Sequence, residues 1–185
     1  SSFEIQNAIA NGDLKGVITT ETEVGMDIRF LNNRIGLDVA LYDKRADGQI
    51  LNVPISPGSG YTTLIENIGL ITNKGIEVSL DLKPIVTKNV TWSINYNYTK
   101  NINKVAHLTN GLSKVTVFGI NGGAELDAVP GKTATGIYAF GPQLTADGKT
   151  IVAVASGKPL ATTNRIYYGN ADNDFVMGFS NSLKL

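Results

Sequence analysis

The sequence of 185 residues predicts an all-β fold, an antiparallel up-and-down meander of about five strands. Three observations predict it. Apolar and polar residues alternate through segments of about ten residues, which is typical of strands with one apolar and one polar face. Charged residues make up only 17% of the chain, whereas Gly, Asn and Thr are abundant. Short and long connections alternate between the predicted strands, so all the short turns fall at one end of the sheet.

A hairpin is the first feature along the chain. Residues 23–30 read E-V-G-M-D-I-R-F and residues 34–42 read R-I-G-L-D-V-A-L-Y, with Asn32-Asn33 between them. Asn tolerates the positive φ angle that a two-residue hairpin turn requires. We expect cross-strand ion pairs among the four charged residues nearest to this turn. The predicted apolar face comprises Val24, Met26, Ile28, Ile35, Leu37 and Val39, and the polar face comprises Glu23, Asp27, Arg29, Arg34 and Asp38.

Two more strands are predicted at residues 75–82 and 90–99, where the alternation continues. Pro84 is expected to end the first of them, because proline cannot donate a hydrogen bond to a ladder. A last strand is predicted at residues 175–185, in which Asn181 interrupts the apolar row. The apolar face of the third and fourth strands comprises Ile76, Val78, Leu80, Trp92 and Ile94, and the polar face carries Glu77 and Asp81.

Two long connections, residues 46–66 and 101–174, separate the short turns. Loops of this length are uncommon in compact domains and are usually functional. The polar face carries charges of both signs, aromatic residues lie near the strand ends, and each strand is long enough to cross a bilayer when tilted. These features favour a transmembrane β-barrel with long extracellular loops over a soluble sandwich. Because five strands cannot close such a barrel and open sheet edges are not tolerated in lipid, the strands are predicted to be part of a larger barrel.

Six segments resemble one family, and they do so in the same order along nearly the whole chain. Residues 21–45 contain the first hairpin, and residues 67–80 read N-I-G-L-I-T-N-K-G-I-E-V-S-L. Both are similar to barrel strands of the SusC/RagA-type TonB-dependent outer-membrane transporters. The other segments are 47–56, 92–105, 130–140 and 168–183, the last of which has Asn173 where proline is common in the family.

The resemblance implies that residues 1–185 are a partial β-barrel domain of such a transporter, without its plug domain or its C-terminal strand. It implies a location in the outer membrane of a Gram-negative cell, in contact with outer-membrane lipid and with the rest of the same barrel and plug. The apolar faces would then face lipid and the polar faces the lumen. It also implies import of a glycan oligosaccharide or a peptide, energised by TonB through the absent plug region and assisted by a SusD-like surface lipoprotein.

The composition argues against several functional classes. The 16 basic residues balance the 16 acidic ones, which argues against a nucleic-acid partner. Cysteine is absent, the one histidine (His107) lies in a predicted loop, and no G-x-S-x-G motif occurs, so no enzyme is predicted. A Ca²⁺-loop pattern found in the family is reduced here to Asp147-Gly148-Lys149, which supplies too few oxygen ligands for a cation. No metal or other cofactor is therefore expected.

Aromatic residues in the long loops are the candidate contacts for a ligand or a partner. Exposed rings stack on sugars or anchor a partner protein, and they can equally form a small core that folds a loop on itself. The candidates are Tyr61, Phe118, Tyr138 and Phe140. The alternative function is that of a soluble all-β carbohydrate-binding or adhesion module, which would fold alone without detergent.

Overall fold

The computed structural model describes residues 8–9, 11–120 and 123–185. Strands dominate it, and the two helices described are single 3-10 turns at Pro57–Ser59 and Thr109–Gly111. Neither helix in these ranges has the length and apolar character needed to cross a membrane. The strands are β1 (Ala8–Ile9), β2 (Ile18–Phe30), β3 (Ile35–Asp47), β4 (Ile50–Pro54), β5 (Thr63–Asn67), β6 (Gly69–Val86), β7 (Thr91–Leu108), β8 (Val115–Ile120), β9 (Ala124–Ala128), β10 (Gly136–Ala139), β11 (Ile166–Asn170) and β12 (Val176–Lys184).

Five strands form one antiparallel sheet in the order β12-β7-β6-β3-β2. Most of this sheet belongs to one compact unit, which comprises Ile18–Asp47, Leu70–Lys104 and Asn173–Leu185 and is called here the five-stranded unit. Within the unit, each strand lies beside the one that precedes or follows it along the chain. This arrangement confirms the predicted antiparallel up-and-down meander of five strands.

The predicted hairpin between β2 and β3 forms, but its turn has four residues, Leu31–Arg34, and the expected two-residue turn is wrong. Asn32 and Asn33 have φ angles of 53° and 63°, as the turn requires, and Leu31 also has a positive φ of 54°. The Arg34 N–H donates to the carbonyls of Phe30 and Leu31 at 3.1 and 3.2 Å. The turn therefore holds Phe30 opposite Ile35, and this pairing aligns the apolar rows of both strands.

The third and fourth strands are longer than predicted. β6 runs through Pro84 to Val86, so the prediction that Pro84 ends the strand is wrong. The pairing of β6 with β3 stops at Leu82, and a proline near the end of a ladder costs few hydrogen bonds. β7 likewise continues to Leu108, well beyond the predicted end at residue 99.

The two long connections are folded and contain strands of their own, which the prediction of long loops missed. They belong to a second compact unit, called here the insert unit, within residues 1–17, 48–69 and 105–172. It contains a three-stranded sheet of order β1-β5-β4 and a four-stranded antiparallel sheet of order β11-β10-β9-β8. Buried apolar side chains hold the unit together, namely Ile68, Val105, Leu108, Val115 and Ala128.

The five-stranded unit has almost no core of its own. Among its described residues, Ile71 is the one hydrophobic side chain that is classed as buried, with 8% exposure. On the apolar face, Val24 and Phe179 are 69% and 70% exposed. On the inner strands most of the apolar residues, such as Val39 and Val78, are half-buried. An exposed contiguous apolar patch marks a surface for contact with protein or lipid.

Candidate functional site

The pairing register of the five-stranded unit sorts the predicted residues onto two faces. Met26 pairs with Val39 and Leu37 pairs with Leu80, and directly opposed residues project from the same face of a sheet. The apolar residues predicted from alternation therefore share one face, and the charged residues within the strands share the other. Arg34 lies in the hairpin turn, outside both strands.

An ion cluster joins β2 and β3 on the polar face. Arg29 Nη2 donates to both carboxylate oxygens of Asp38, at 3.0 and 3.1 Å, and Arg29 Nε lies 3.3 Å from Asp27 Oδ1. Asp27 and Asp38 are direct cross-strand partners, so the guanidinium offsets the repulsion between two like charges. Gly36 makes room for it, because a Cβ at Gly36 would lie 2.5 Å from Arg29 Nη1.

Three of the four residues expected to form ion pairs near the hairpin turn do so, namely Asp27, Arg29 and Asp38. The fourth expectation is wrong, because Arg34 instead donates to the Val86 carbonyl at 3.3 Å. Its position in the turn explains the difference, since the ladder that aligns the other three side chains does not include Arg34.

Amide side chains continue the polar face across β6 and β7. Asn95 Nδ2 donates to Asp81 Oδ1 at 2.6 Å. Nearer the other end of the strands, Asn101 and Asn103 both donate to Asn73 Oδ1, at 3.2 and 2.9 Å. These bonds join side chains that the sequence pattern alone could only place on a common face.

Tyr42 and Gly75 form a close pair on the polar face. They are direct cross-strand partners, and the Tyr42 ring lies over the position that a Cβ of Gly75 would occupy. The Tyr42 hydroxyl donates to Asn101 Oδ1 at 3.4 Å, so the ring reaches across β6 to β7. Gly75 is therefore required for close approach of the ring.

Acidic groups predominate among the charged side chains of the polar face. Two of its basic residues are paired: Lys44 Nζ lies 3.7 Å from Glu21, and Arg29 forms ion pairs with Asp27 and Asp38. Between the carboxylates, Gly25, Ala40 and Ser79 line a shallow concavity, because their side chains are small. The acidic residues of this face are Glu21, Glu23, Asp27, Asp38, Glu77 and Asp81.

The insert unit carries an aromatic row across β10 and β11. Tyr138 and Tyr167 are cross-strand partners whose ring centroids lie 5.4 Å apart. Arg165 lies over the Phe140 ring at 4.7 Å, and Lys132 Nζ lies 4.8 Å from the centre of the Tyr167 ring. Partial burial, together with the nearby Tyr167 and Asp127, raises the pKa of Tyr138, so its hydroxyl is protonated at neutral pH.

A network of ion pairs supports this row. Asp127 is buried, and it accepts hydrogen bonds from Lys114 Nζ at 2.9 Å and from Thr116 Oγ1 at 2.8 Å. Lys114 also binds Glu125 at 3.1 Å, and Glu125 in turn pairs with Arg165 at 3.2 Å. Partial burial opposes the charge on Lys114, but the hydrogen bonds to Asp127 and Glu125 outweigh it and raise the pKa of Lys114. The network thereby fixes the position of Arg165 over Phe140.

The four aromatic candidates do not form one site. Tyr138 and Phe140 lie at alternate positions of the chain from β10 onward, on the face that carries the network. Phe118 pairs with Leu126 in β8, on the opposite face of the sheet, and is 62% exposed. Tyr61 lies between β4 and β5 and is exposed.

Sequence reasoning missed Tyr167 and Arg165 as members of the aromatic row. The signal was present in residues 166–170, I-Y-Y-G-N, a short run of residues that favour strands. No sequence signal gave the contact between Arg165 and Phe140, which depends on how β10 and β11 pair.

The remaining titratable candidates are not assembled into a reactive site. His107 is exposed near the end of β7. Asp147 is held by Lys149 Nζ at 2.8 Å and by the Thr145 hydroxyl, and these two hydrogen bonds lower its pKa. Throughout residues 8–9, 11–120 and 123–185, no group of three or more His, Asp or Glu side chains is placed to hold a metal ion.

Comparison with known proteins identifies the family. The sequence matches the family described as TonB dependent receptor-like, beta-barrel, over residues 2–182. The chain belongs to this family. TonB-dependent receptors are outer-membrane β-barrel proteins of Gram-negative bacteria, and they are transporters rather than enzymes.

Individual members of the TonB-dependent receptor family match different shares of the chain. The TonB-dependent receptor SusC of Bacteroides thetaiotaomicron is 39% identical over 102 residues, which cover 55% of this chain and 10% of SusC. The TonB-dependent receptor P3 of Formosa agariphila is 27% identical over 197 residues, covering 95% of this chain and 20% of P3. The chain thus spans a fifth or less of the length of these curated relatives.

A solved structure shares the fold. The RagAB peptide importer in its closed-closed state superimposes with a TM-score of 0.72 over 94% of this chain and 20% of the importer chain, at 19% identity. Together with the family match, this confirms the resemblance to SusC/RagA-type proteins, the β-barrel fold class and the outer-membrane location. The alternative of a soluble binding module does not agree with membership of this family.

Proposed function

We propose that the protein to which this barrel segment belongs is a TonB-energised importer of a bulky nutrient, either a glycan oligosaccharide or a peptide. In this proposal the segment supplies part of the barrel wall and its long extracellular loops. A plug domain within the same barrel would respond to TonB, and a SusD-like surface lipoprotein would cover the extracellular opening. No cofactor takes part.

The observation that carries the proposal is the contrast between the two faces of the five-stranded unit. One face is a band of apolar side chains, mostly exposed on the outer strands and half-buried on the inner ones, which suits contact with outer-membrane lipid. The other face is lined with carboxylates, amides and hydroxyls, which suits a wet lumen. In this proposal the lipid-facing residues are Val24, Met26, Ile28, Ile35, Leu37, Val39, Ile76, Val78, Leu80, Trp92 and Ile94. The lumen-facing residues are Glu23, Asp27, Arg29, Asp38, Glu77 and Asp81. Arg34 lies at the rim, in the hairpin turn.

The aromatic row of the insert unit is the proposed contact for the nutrient. Aromatic rings provide large, rigid contact surfaces at low entropic cost, and they stack on sugar rings or on side chains of a peptide. Tyr138 and Phe140 are held in place by Tyr167 and Arg165, so this row is preorganised. Phe118 and Tyr61 lie apart from it and are proposed as contacts for the SusD-like partner.

Uptake by whole cells tests the import function. A strain that lacks the gene is complemented with the full-length protein, and accumulation of labelled oligosaccharides and labelled peptides is measured with and without a protonophore. We expect complementation to restore uptake of one of the two substrate classes, and the protonophore to abolish it. Equal uptake of both classes by the deletion strain and the complemented strain would disprove the proposal.

The same assay separates the two groups of aromatic residues. Phe140→Ala should raise the substrate concentration for half-maximal uptake about tenfold, which corresponds to about 1.4 kcal/mol of lost binding free energy. Phe118→Ala removes an equally large exposed ring from the other face of the same sheet. Because this ring is proposed to contact the partner, the variant should lower the maximal rate of uptake and leave this concentration unchanged. The same increase for both variants would contradict the assignment of the row.

A further inference from the structure

Charged side chains interrupt the apolar face of the five-stranded unit on three neighbouring strands. Leu41 of β3 pairs with Ile76 of β6, and the next outward pair along these strands is Asp43 with Lys74. On β7 the apolar row runs from Trp92 to Tyr98, and the next residue on that face is Lys100, which is followed by the exposed Ile102. A common change from apolar to charged side chains is expected where strands leave the hydrocarbon of a bilayer.

Contacts between β6 and β7 place Lys100 close to Lys74. Asn101 donates to Asn73, the chain neighbour of Lys74, at 3.2 Å. The Lys100 carbonyl lies 2.7 Å from the position that a Cβ of Gly75 would take. Lys74 and Lys100 therefore project from the same face of neighbouring strands, near the edge of the apolar band.

Positive charge is in excess at this edge. Lys74 Nζ lies 2.8 Å from Asp43 Oδ2, and Arg45 Nε lies 3.8 Å from Asp43 Oδ1, so two cations share one carboxylate. In the part of the chain that the structure describes, no carboxylate lies within 4.0 Å of the Lys100 ammonium group. We call Arg45, Lys74 and Lys100 the cationic belt. Further along the same face, Asp47 and Lys104 carry opposite charges.

The cationic belt is accessible from the side of the membrane. The side chains of Lys74 and Arg45 are 64% and 63% exposed, and Lys100 is also exposed. Long basic side chains reach along apolar surface to place their charge at the headgroup level. By contrast, Lys44 belongs to the polar face of β3 and is directed to Glu21.

The belt lies toward the end of the strands from which the long connections leave. In outer-membrane barrels the short turns are periplasmic and the longer loops are extracellular. The belt therefore falls in the outer leaflet. We propose that the cationic belt binds the phosphate groups of outer-leaflet lipid. Guanidinium and ammonium groups are the usual partners of phosphate, and the apolar band directly below would contact the acyl chains of the same lipid.

The expected strength follows from the number of cations. Each lysine or arginine near an anionic membrane surface contributes about 1 kcal/mol of binding free energy. Loss of Lys74 and Lys100 together should thus weaken the binding of a phosphorylated lipid about 30-fold, equivalent to about 2 kcal/mol. The belt should also lose affinity as salt is added, because exposed charges are screened.

Lipid binding to the full-length protein in detergent tests the proposal. The protein is titrated with bisphosphorylated lipid A and, separately, with lipid A from which both phosphates have been removed, and bound lipid is counted by native mass spectrometry. We expect the wild type to bind the phosphorylated lipid and to discriminate against the dephosphorylated one. The double variant Lys74→Gln with Lys100→Gln should lose about 30-fold in affinity, whereas the control Lys44→Gln should not change.

Equal binding of the two lipids by the wild type would overturn the proposal, and this comparison requires no variant to fold. Equal binding by the double variant and the Lys44→Gln control would overturn it as well. The proposal depends on the barrel orientation used under the proposed function, but lipid is counted without any nutrient present. If the lipid-binding proposal fails, the uptake experiment can still support the proposed function. If the uptake experiment fails, the lipid-binding result still stands.

Discussion

At the scale of single residues, the space above a glycine decides which large side chain can cross the polar face. Gly75→Ala would place a Cβ within the Tyr42 ring and 2.7 Å from the Lys100 carbonyl. The ring must then move and lose its hydrogen bond to Asn101, at a cost of about 1–3 kcal/mol in the free energy of unfolding. Thermal unfolding of the full-length barrel in detergent, followed by its heat-dependent mobility on gels, measures this loss.

Gly25→Ala is the matched control for this prediction. Gly25 lies on the same polar face, and the nearest atom to its added Cβ would be the Val39 carbonyl oxygen at 3.7 Å, an ordinary contact. Its effect should stay within about 0.5 kcal/mol. Similar losses for both variants would show that Tyr42 does not depend on Gly75.

At the scale of strands, neighbouring positions of β3 should respond in opposite ways to a charge. Val39 lies within the apolar band and Ala40 lies on the polar face, beside Gly25. In the proposed orientation, Val39→Arg places a guanidinium against lipid and should cost about 2–4 kcal/mol, depending on its depth in the bilayer. Ala40→Arg faces the acidic wall and should be tolerated.

The amount of folded, heat-modifiable barrel recovered from outer membranes measures both substitutions. Equal recovery of the Val39→Arg and Ala40→Arg variants would contradict the assignment of the two faces. The reverse order, with Val39→Arg tolerated and Ala40→Arg lost, would mean that lipid and lumen are exchanged.

Strand alternation explains how much of the fold the sequence could predict. Residues 23–30 and 35–42 alternate on either side of the turn, so both the hairpin and its two faces follow from the pattern. The strands of the insert unit have only four to six residues in β8–β11, too few for a period to be recognised. Their core also draws on Ile68 and Val105, which are far apart in sequence. The contact of Arg165 with Phe140 depends on that packing and could not be predicted.

At the scale of the whole molecule, the sheet of the five-stranded unit has two edge strands, β2 and β12, whose outer backbone groups need hydrogen-bond partners. In the described residues, β2 and β12 are each paired along one side, with β3 and β7 respectively. Unpaired backbone N–H and C=O groups are not tolerated in the hydrocarbon of a membrane. We therefore expect both edges to pair with further strands of the barrel, and the chain spans a fifth of the length of the Formosa receptor P3.

This requirement predicts the hydrogen exchange of β2. In the full-length protein in detergent, the amides of β2 that point away from β3 should be protected, because a neighbouring barrel strand accepts their hydrogen bonds. In the isolated 185-residue chain under the same conditions, these amides should exchange rapidly while those bonded to β3 stay slower. Mass spectrometry with fragmentation along residues 18–30 resolves the two sets. Rapid exchange of both sets in the full-length protein would mean that β2 is a true edge, and the sheet could then not close into a barrel at this strand.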